Sequence, residues 1–378
     1  PSIISYNNTI NDDKYSNESL VLRTCQKNAL THMNKISNRI CMACGTGKTY
    51  TVITHVDLCS NLNTDQKFLI LVPSLILMNQ WREAFCTYTK FKISCVGTNH
   101  ARKYIPGNTV YICVYNSFPE FYSSAAWDEF EHIYVDEAHH VREDSAGYLK
   151  EIYDFINLEL IDYTMLSATI KNADYTYKIR DAINDNVLTD YDVLIPIYSD
   201  NFDSFGNSDV SQSFEKYENK HIVDLISDHP EFTRVLVYFN TIASARDFSK
   251  ICPQSITITC EETLKQRTTI LDKFRKGDYR VIASVNTLGE GVNIKCADTC
   301  IFADHRSSEV SIIQCVGRVL RKFPGKHLSH VVVPAFKKEI ESETMGNTIK
   351  ILAKLARSDI KLQESIGKRS SRVRTKLI

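Results

Sequence analysis

A chain of 378 residues has room for two domains of about 100–200 residues each. Its 43% hydrophobic and 24% charged residues are typical of a globular protein in water, and no apolar run approaches the ~18 residues that a membrane span needs. The formal net charge of zero excludes a uniformly basic nucleic-acid-binding surface, although it leaves room for a local basic groove.

Cysteine usage indicates the compartment. Most of the 12 cysteines lie singly inside apolar runs, where cysteine behaves as a small hydrophobic residue, and their spacing shows no disulfide framework. A reducing compartment, the cytoplasm or the nucleus, is therefore expected. The composition leans towards Asn, Ile, Lys and Tyr, which is compatible with an AT-rich viral or microbial genome. The first residue is Pro1 rather than Met, which is compatible with a fragment of a longer protein that has further domains or subunits.

Short apolar runs alternate with helix-like stretches along the whole chain. Runs of consecutive apolar residues suit strands that are buried on both faces. They are residues 39–43, 68–72, 110–114, 133–135 and 164–166 in the first half, and 235–239, 255–258, 280–283, 299–302 and 330–333 in the second. Helix-like stretches such as 75–88, 263–276 and 310–320 lie between them. This alternation predicts an α/β fold with parallel sheets flanked by helices.

Three segments are predicted along the chain. A first domain spans residues 15–185, a second spans 186–345, and a basic helical extension spans 346–378. The polar segment 199–213 reads as a loop and is a candidate join, whereas the preceding run 193–198 could be a strand at the start of the second domain.

A glycine-rich segment follows the first predicted strand. The run at 39–43 leads into Cys44-Gly45-Thr46-Gly47-Lys48-Thr49 and then into a helix-like stretch. Strand, glycine loop, Lys-Thr and helix form the context of a P-loop, in which backbone N–H groups and a helix N-terminus face phosphate oxygens. The segment predicts an ATP site in which Lys48 holds the β- and γ-phosphates and Thr49 ligates Mg²⁺.

Two features of this segment allow other interpretations. Met42 stands where the strict P-loop pattern has glycine. Cys41 and Cys44 form a Cys-x-x-Cys pair, which could indicate zinc or redox chemistry. No second cysteine pair at zinc-ligand spacing follows, so the phosphate interpretation is favoured.

An acidic pair ends the predicted strand at 133–135. Asp136 at a buried strand end can hold Mg²⁺ from the side opposite Thr49. The adjacent Glu137 can orient and deprotonate an attacking water. By itself this pair could be an ordinary acidic loop, but its position after a P-loop favours an ATPase.

Together with further motifs, these segments resemble a superfamily 2 helicase of the DEAH-box type. The resemblance covers residues 20–335 and depends on the order of the motifs. It implies two tandem RecA-like domains, ATP and Mg²⁺ as cofactors, and nucleic acid as partner. Residues 22–26 resemble the adenine-contacting element, in which Gln26 would read the base edge and Arg23 would assist.

The resemblance assigns roles to the remaining motifs. Residues 167–169 resemble motif III, which together with His139 would couple hydrolysis to movement through Ser167 and Thr169. Residues 287–293 resemble motif V, with Asn293 where many relatives carry Asp; its predicted nucleotide contacts are Gly289, Gly291 and Asn293. The predicted contacts to nucleic acid are Pro73, Ser74, Gln80, Asn116, Ser117, Asn240 and Thr287.

Residues 314–321 resemble motif VI. Gln314, Gly317, Arg318 and Arg321 are spaced at i, i+3, i+4 and i+7, which predicts one face of a helix. Two arginines from the second domain could then reach the γ-phosphate across a cleft, as arginine fingers do. The alternative is a basic helix at the surface.

Weaker features concern the subtype. Residues 274–277, 280–284 and 317–326 look like the type III restriction and UvsW-like DNA helicases, so DNA is favoured over RNA as the partner, and no membrane is expected. From residue 350 onward, nine basic residues stand against two acidic ones, about +7. This tail is either an arm that contacts phosphates or a solvated helix end.

Three hypotheses for function follow. The first is an ATP-dependent helicase or translocase that acts on duplex DNA. The second is an RNA helicase or RNA-dependent ATPase on the same core. The third is a nucleic-acid-binding switch subunit with little turnover, against which the intact Lys48, Glu137 and Arg318 argue.

Overall fold

A computed structural model describes residues 21–33, 37–61, 66–97, 104–158, 161–198, 210–285, 294–304, 306, 308–336, 347–366 and 372–377. The chain divides into two units, Pro1–Tyr177 and Lys178–Ile378. No helix among the described residues combines the length and the apolar character needed to cross a membrane. All twelve cysteines lie within the described residues, and all are free thiols.

The first unit is built on seven parallel strands. They are β1 Ser37–Met42, β2 Lys67–Val72, β3 Ile93–Val96, β4 Val110–Val114, β5 Phe130–Asp136, β6 Asp162–Ser167 and β7 Tyr175–Tyr177, in the order β3-β4-β2-β5-β6-β1-β7. Its helices are α1 Thr24–Met33, α2 Lys48–Ser60, α3 Leu75–Tyr88, α4 Phe118–Tyr122 and α5 Tyr148–Ile156. Strands β2 and β4 are almost wholly buried, as their unbroken apolar runs predict.

The second unit repeats the architecture. Its strands are β8 Tyr191–Tyr198, β9 Val235–Phe239, β10 Ser255–Ile258, β11 Val281–Val285, β12 Thr299–Phe302, β13 Ser329–Val332, β14 Ala335–Phe336 and β15 Val373–Leu377. The parallel sheet has the order β10-β11-β9-β12-β13-β8-β14, and β15 also pairs with β8. The helices are α6 Ile179–Asn184, α7 Val210–Asp228, α8 Ile242–Ile251, α9 Leu264–Lys276, α10 Glu309–Val319, α11 Asn347–Ala356 and α12 Ile360–Ser365. The prediction of two tandem RecA-like domains is confirmed.

The division between the units differs from both predicted joins. It falls after Tyr177, eight residues before the predicted boundary at 185, because β7 is the last strand of the first sheet. The join at 199–213 is wrong, since β8 precedes it and already lies in the second sheet between β13 and the β14–β15 edge. The interpretation of 193–198 as an early strand of the second domain is confirmed.

The C-terminal extension is helical only in part. Helices α11 and α12 agree with the prediction, but residues 373–377 form β15, which pairs in parallel with residues 193–197 of β8. In residues 373–377, the basic residues Arg374 and Lys376 alternate with uncharged residues. This period of two suits a strand at a sheet edge. The prediction of a helix to the end of the chain is therefore wrong for this segment.

A network of ion pairs fastens this extension to the start of the second unit. The carboxylate of Asp359 is fully buried and accepts hydrogen bonds from Arg180 Nε at 2.8 Å and Arg180 Nη2 at 2.6 Å. Arg372 Nη2 donates to the same carboxylate at 3.3 Å and to Asp190 at 2.7 Å. Arg374 pairs with Asp192. Two cations of the basic tail are thus neutralised within the unit, which weakens its interpretation as a phosphate-contacting arm.

Replacement of Asp359 by alanine is expected to destabilise the second unit by about 3 kcal/mol or more, because it leaves the buried Arg180 guanidinium without its main partner. Urea unfolding, followed by circular dichroism, measures this loss. Asp247→Ala is the matched control, since it removes an ion pair to Lys250 in which both side chains are largely exposed. Equal destabilisation by the two substitutions would contradict the role of the buried network.

Candidate functional site

A tight loop joins β1 to α2. The strand ends at Met42, the helix begins at Lys48, and Gly45 and Gly47 have φ angles of 83° and 101°. These angles lie in the left-handed region that side chains with a Cβ disfavour. The Thr46 hydroxyl donates to the Ala43 carbonyl at 2.7 Å and closes the loop. The loop therefore ends at the N-terminus of a 13-residue helix, a position with a partial positive charge.

Gln26 fastens helix α1 to this loop. Its amide nitrogen donates to the Gly47 carbonyl at 3.1 Å, and its amide oxygen accepts from the backbone N–H of Arg23 at 2.8 Å. The Arg23 guanidinium reaches the Thr46 carbonyl at 3.5 Å. A primary amide has two hydrogens and two lone pairs, so Gln26 keeps capacity for the edge of a base. The structure thus places the two predicted adenine-contacting residues beside the predicted phosphate loop.

Lys48 lies among acidic groups. Its ammonium donates to the Met42 carbonyl at 3.3 Å. Burial lowers the pKa of Lys48, but the charges of Glu137, Cys44 and Asp136 outweigh burial, so the pKa is raised overall. The lysine is therefore a fixed cation at the mouth of the loop, as phosphate binding requires.

Asp136 ends β5 as a buried carboxyl group with several partners. One oxygen accepts from the indole N–H of Trp81 at 2.8 Å, and the other accepts from the backbone N–H of Glu137 at 3.0 Å. Burial and then the Glu137 charge raise the pKa of Asp136 to about 6, while Lys48 and the Trp81 hydrogen bond act in the opposite direction. The negative charge is thus only partly compensated.

Glu137 has a backbone conformation that is unusual for its residue type. Its φ angle is 52°, in the left-handed region. Such a conformation persists only where surrounding contacts impose it, and it is common at functional sites. Its carboxylate lies 3.4 Å from His139 Nδ1, and only 12% of the side chain is exposed.

His139 connects the acidic pair to the end of β6. Its Nδ1 atom lies 3.1 Å from the Ser167 hydroxyl. The Ser167 hydroxyl in turn accepts from the backbone N–H of Thr169 at 3.2 Å and lies 3.4 Å from the Thr169 hydroxyl. A continuous polar chain therefore joins Glu137, His139, Ser167 and Thr169.

Sheet order explains why these groups meet. Strands β5, β6 and β1 are neighbours, with Asp136 beside Leu166 and Cys41 beside Ser167 in the parallel register. The carboxyl ends of parallel strands share one edge of the sheet, where α/β proteins bind ligands. The predicted phosphate loop, acidic pair and motif III are therefore adjacent in the fold.

The donor set at this edge fits Mg²⁺ with a nucleoside triphosphate. Asp136 is a buried carboxylate whose charge is incompletely balanced, and the half-buried Thr49 hydroxyl lies on the first turn of α2. Magnesium is held by one or two protein oxygens together with phosphates and waters. Among the described residues no group of three or more His, Cys, Asp or Glu side chains gathers as a metal site, and Cys41 and Cys44 are free thiols.

In the second unit, the helical prediction for motif VI holds for Gln314 and Arg318 but is wrong for Arg321. Gln314 and Arg318 are buried on α10, which ends at Val319. Arg321 lies beyond the helix and forms an antiparallel bridge with Leu188, next to a bond from the Thr189 N–H to the Leu320 carbonyl at 2.8 Å. The seven-residue spacing therefore does not place Arg321 on the α10 face, because the helix ends two residues before Arg321 and the chain continues into a strand-like contact.

The predicted nucleic-acid contacts of the first unit lie at two strand-to-helix connections. Pro73 and Ser74 follow β2, and the Ser74 hydroxyl caps α3 by accepting from the Leu77 N–H at 3.4 Å. Gln80 is half-buried on α3. After β4, Asn116 is exposed while Ser117 is buried, so Ser117 is the less accessible of the pair.

The other predicted contacts lie in the second unit. Asn240 is exposed directly after β9, and its backbone N–H donates to Asp304. Thr287, Gly289, Gly291 and Asn293 lie outside the described residues.

Two residues beside Asp136 escaped the sequence prediction. Trp81 is buried in the core, and its indole N–H donates to the Asp136 carboxylate. The Tyr115 hydroxyl donates to the backbone carbonyl of Asp136. A buried Trp or Tyr needs a partner for its polar tip, but the sequence does not show which residue supplies it.

Gly47→Ala is expected to lower ATP affinity roughly tenfold or more. A Cβ atom at Gly47 would lie 2.3 Å from the Gln26 amide nitrogen, in a backbone conformation with a φ angle of 101°. Isothermal titration calorimetry with ATP measures the effect. Gly107→Ala is the matched control, because Gly107 has a φ angle of 92° but no heavy atom within 4 Å of the added Cβ. Unchanged ATP affinity in Gly47→Ala would exclude a close fit of the loop.

The raised pKa of Asp136 predicts that protons and Mg²⁺ compete. The folded protein binds this proton more tightly than the usual pKa of 3.8 implies, so the stabilising effect of protonation is lost as pH rises through about 6. The carboxylate formed there is free to take a cation. The melting temperature of the protein with ADP should therefore rise more on addition of Mg²⁺ at about pH 7.5 than at about pH 5. Asp136→Asn should remove this difference, and an equal increase at both pH values in the wild type would contradict the assignment.

The sequence matches known families in both units. Residues 19–172 match the model of the type III restriction enzyme res subunit, and residues 218–323 match the helicase conserved C-terminal domain. Over 93 residues the chain is 32% identical to UvrABC system protein B of Thermosipho africanus (strain TCF52B). The matched residues make up 23% of this chain and 14% of that protein.

Solved structures with the same fold include two proteins with different ligands. The ATP-dependent type ISP restriction-modification enzyme LlaBIII bound to DNA superposes with a TM-score of 0.77 at 18% identity, over 94% of this chain and 31% of that chain. Dbp5 of S. cerevisiae, bound to RNA and ADP BeF3, superposes with a TM-score of 0.63 at 18% identity, over 94% of this chain and 89% of that one. The chain thus spans a minor part of UvrABC system protein B and of LlaBIII. The chain therefore contains, in order, a segment similar to the type III restriction enzyme res subunit and a segment similar to the helicase conserved C-terminal domain.

Proposed function

We propose that this chain is an ATP-dependent motor of the DEAH-box type that translocates along duplex DNA or unwinds it. The observation that carries the proposal is the polar chain from Glu137 through His139 to Ser167 and Thr169, beside a glycine loop that ends in a half-buried lysine. A site that only binds nucleotide has no need to connect its hydrolytic carboxylate to a neighbouring strand end.

The first unit holds the nucleotide in this proposal. The backbone N–H groups of residues 44–47 and the Lys48 ammonium bind the phosphates, while Gln26 and Arg23 contact the adenine. Thr49 and Asp136 would hold Mg²⁺, which would supply positive charge against the phosphates. The buried position of Asp136 strengthens this contact, because water screens its charge less there.

Hydrolysis requires an oriented water. Glu137 accepts a proton from that water as the water oxygen bonds to the γ-phosphorus. The bond from the γ-phosphorus to the β–γ bridging oxygen breaks, and ADP leaves with that electron pair on the oxygen. His139 lies close enough to respond to the charge of Glu137 and passes the change to Ser167 and Thr169. This is the proposed route from hydrolysis to movement.

The second unit contributes the transition-state cations. Arg318 and Arg321 stabilise the charge that develops on the γ-phosphate, and Gln314 helps to place the water. From the same motif resemblance, Gly289, Gly291 and Asn293 contact the nucleotide, and Thr287 and Asn240 contact the nucleic-acid backbone. These roles are carried over residue by residue from the family resemblance.

Support for DNA comes from the type III restriction match over residues 19–172. The RNA-bound state of Dbp5, a protein with the same fold, makes RNA the second candidate. In either case we propose that the nucleic acid is contacted by residues that follow β2 and β4, namely Pro73, Ser74, Gln80, Asn116 and Ser117. Partners or domains beyond this chain would complete the function of the whole protein.

Steady-state ATP hydrolysis with single- and double-stranded DNA and RNA tests the proposal. We expect stimulation by duplex DNA and a loss of about 100-fold or more in Lys48→Ala, because the phosphate cation is removed. Lys67→Ala is the matched control, since Lys67 pairs with Glu129 at the opposite end of its strand. Stimulation by RNA alone would favour the RNA helicase, and slow turnover with every nucleic acid would favour an ATP-dependent switch.

A further inference from the structure

Trp81 links one predicted nucleic-acid-contacting segment to the acidic pair. It lies on α3, the helix that begins after Pro73 and Ser74, and it directly follows Gln80. Its side chain is 1% exposed and lies beside the ring of Phe85. Within this packing the indole N–H donates to the Asp136 carboxylate at 2.8 Å. A displacement of α3 would therefore act directly on the orientation of that carboxylate.

Tyr115 makes a parallel connection from the second segment. It follows β4 and directly precedes Asn116 and Ser117. The side chain is 3% exposed, and its hydroxyl donates to the backbone carbonyl of Asp136. Each segment is thus adjacent in sequence to a buried aromatic residue whose polar tip bonds to the same acidic residue.

This convergence has an energetic consequence. A buried indole N–H or phenol O–H that loses its acceptor carries a desolvation cost, so both aromatic residues favour one position of Asp136. Phenylalanine at position 115 would fill the same apolar space without imposing that constraint, and at position 81 it would keep an aromatic ring of smaller volume. The two hydrogen bonds therefore specify the geometry of the carboxylate in addition to packing the core.

We propose that Trp81 and Tyr115 are positioning residues that couple nucleic-acid binding on the first unit to Mg²⁺-nucleotide binding at Asp136. This inference rests on the proposed function, because it takes residues 73–80 and 116–117 as the nucleic-acid contacts. Nucleic acid held by these segments fixes α3 and the turn after β4, and the two hydrogen bonds then hold Asp136 in its cation-binding orientation. By linkage the coupling is reciprocal, so Mg²⁺-nucleotide also tightens the grip on nucleic acid.

A thermodynamic cycle measures this coupling without turnover. The affinity for Mg²⁺ with a non-hydrolysable ATP analogue is measured with and without duplex DNA, and the affinity for DNA with and without that ligand. For each ligand, the affinity with the other ligand present is divided by the affinity without it. In the wild type the two ratios should be equal and greater than one. Trp81→Phe, which keeps an aromatic ring but removes the N–H donor, should lower the ratio about tenfold or bring it to one, as expected for a hydrogen bond to a charged group.

Tyr115→Phe provides an independent variant. It removes a single hydroxyl group and keeps the ring, so it should lower the ratio without a loss of folding that circular dichroism would detect. The matched control is Trp127→Phe, since Trp127 is the other tryptophan, is half-buried, and donates to the Tyr122 carbonyl at 3.1 Å rather than to Asp136. This control should keep the wild-type ratio.

If the two residues had only a structural role, their substitution would lower the affinity for each ligand by the same factor whether or not the other ligand is bound. The ratio would then be unchanged. An unchanged ratio in Trp81→Phe and Tyr115→Phe, or a ratio of one in the wild type, would overturn the inference while nucleic-acid-stimulated hydrolysis still supported the proposed function. If the wild type bound neither DNA nor RNA, the proposed function would fail and this inference with it.

Discussion

One buried carboxyl group, that of Asp136, constrains the geometry of the first unit. Leaving water raises its pKa, and the neighbouring Glu137 raises it further, while Lys48 compensates only in part. The fold places an indole N–H, a backbone N–H and a lysine around this charge and still leaves an acidic pair facing a glycine loop. Such an imbalance is costly in an empty site and becomes favourable when a divalent cation and phosphates occupy it.

Parallel strand order places the neighbours of this carboxyl group. Strands β5, β6 and β1 are adjacent although β1 comes first in the chain, so segments about 90 and 120 residues after the loop at 43–47 reach the same sheet edge. The left-handed backbone of Glu137 turns the chain so that His139 reaches Ser167. Local strain at one residue thus creates the polar connection between two strand ends.

The second unit depends on a different buried charge. Asp359 caps α12 and holds Arg180 from the segment that enters the unit, so the extension belongs to the fold of the sheet. Arg372 pairs with Asp359 in the same network, and Arg374 pairs with Asp192. The net charge of the tail by itself is also compatible with an arm that contacts phosphates. A formal charge count cannot distinguish a solvated arginine from one whose carboxylate partner is 182 residues away in sequence. The pairing depends on the register between β15 and β8.

Strands with unbroken apolar runs, such as β2, β4 and β9, could be predicted from the sequence, because a strand that is buried on both faces consists mainly of apolar residues. The loop around Gly47 and the acidic pair could also be predicted, since their chemistry needs specific residue types at short spacing. Three features became apparent only in the folded chain: the helix of motif VI ends before Arg321, β15 joins the sheet, and Trp81 contacts Asp136. Each of these depends on a partner distant in the chain, and a local pattern carries no information about which distant group will lie within hydrogen-bonding distance.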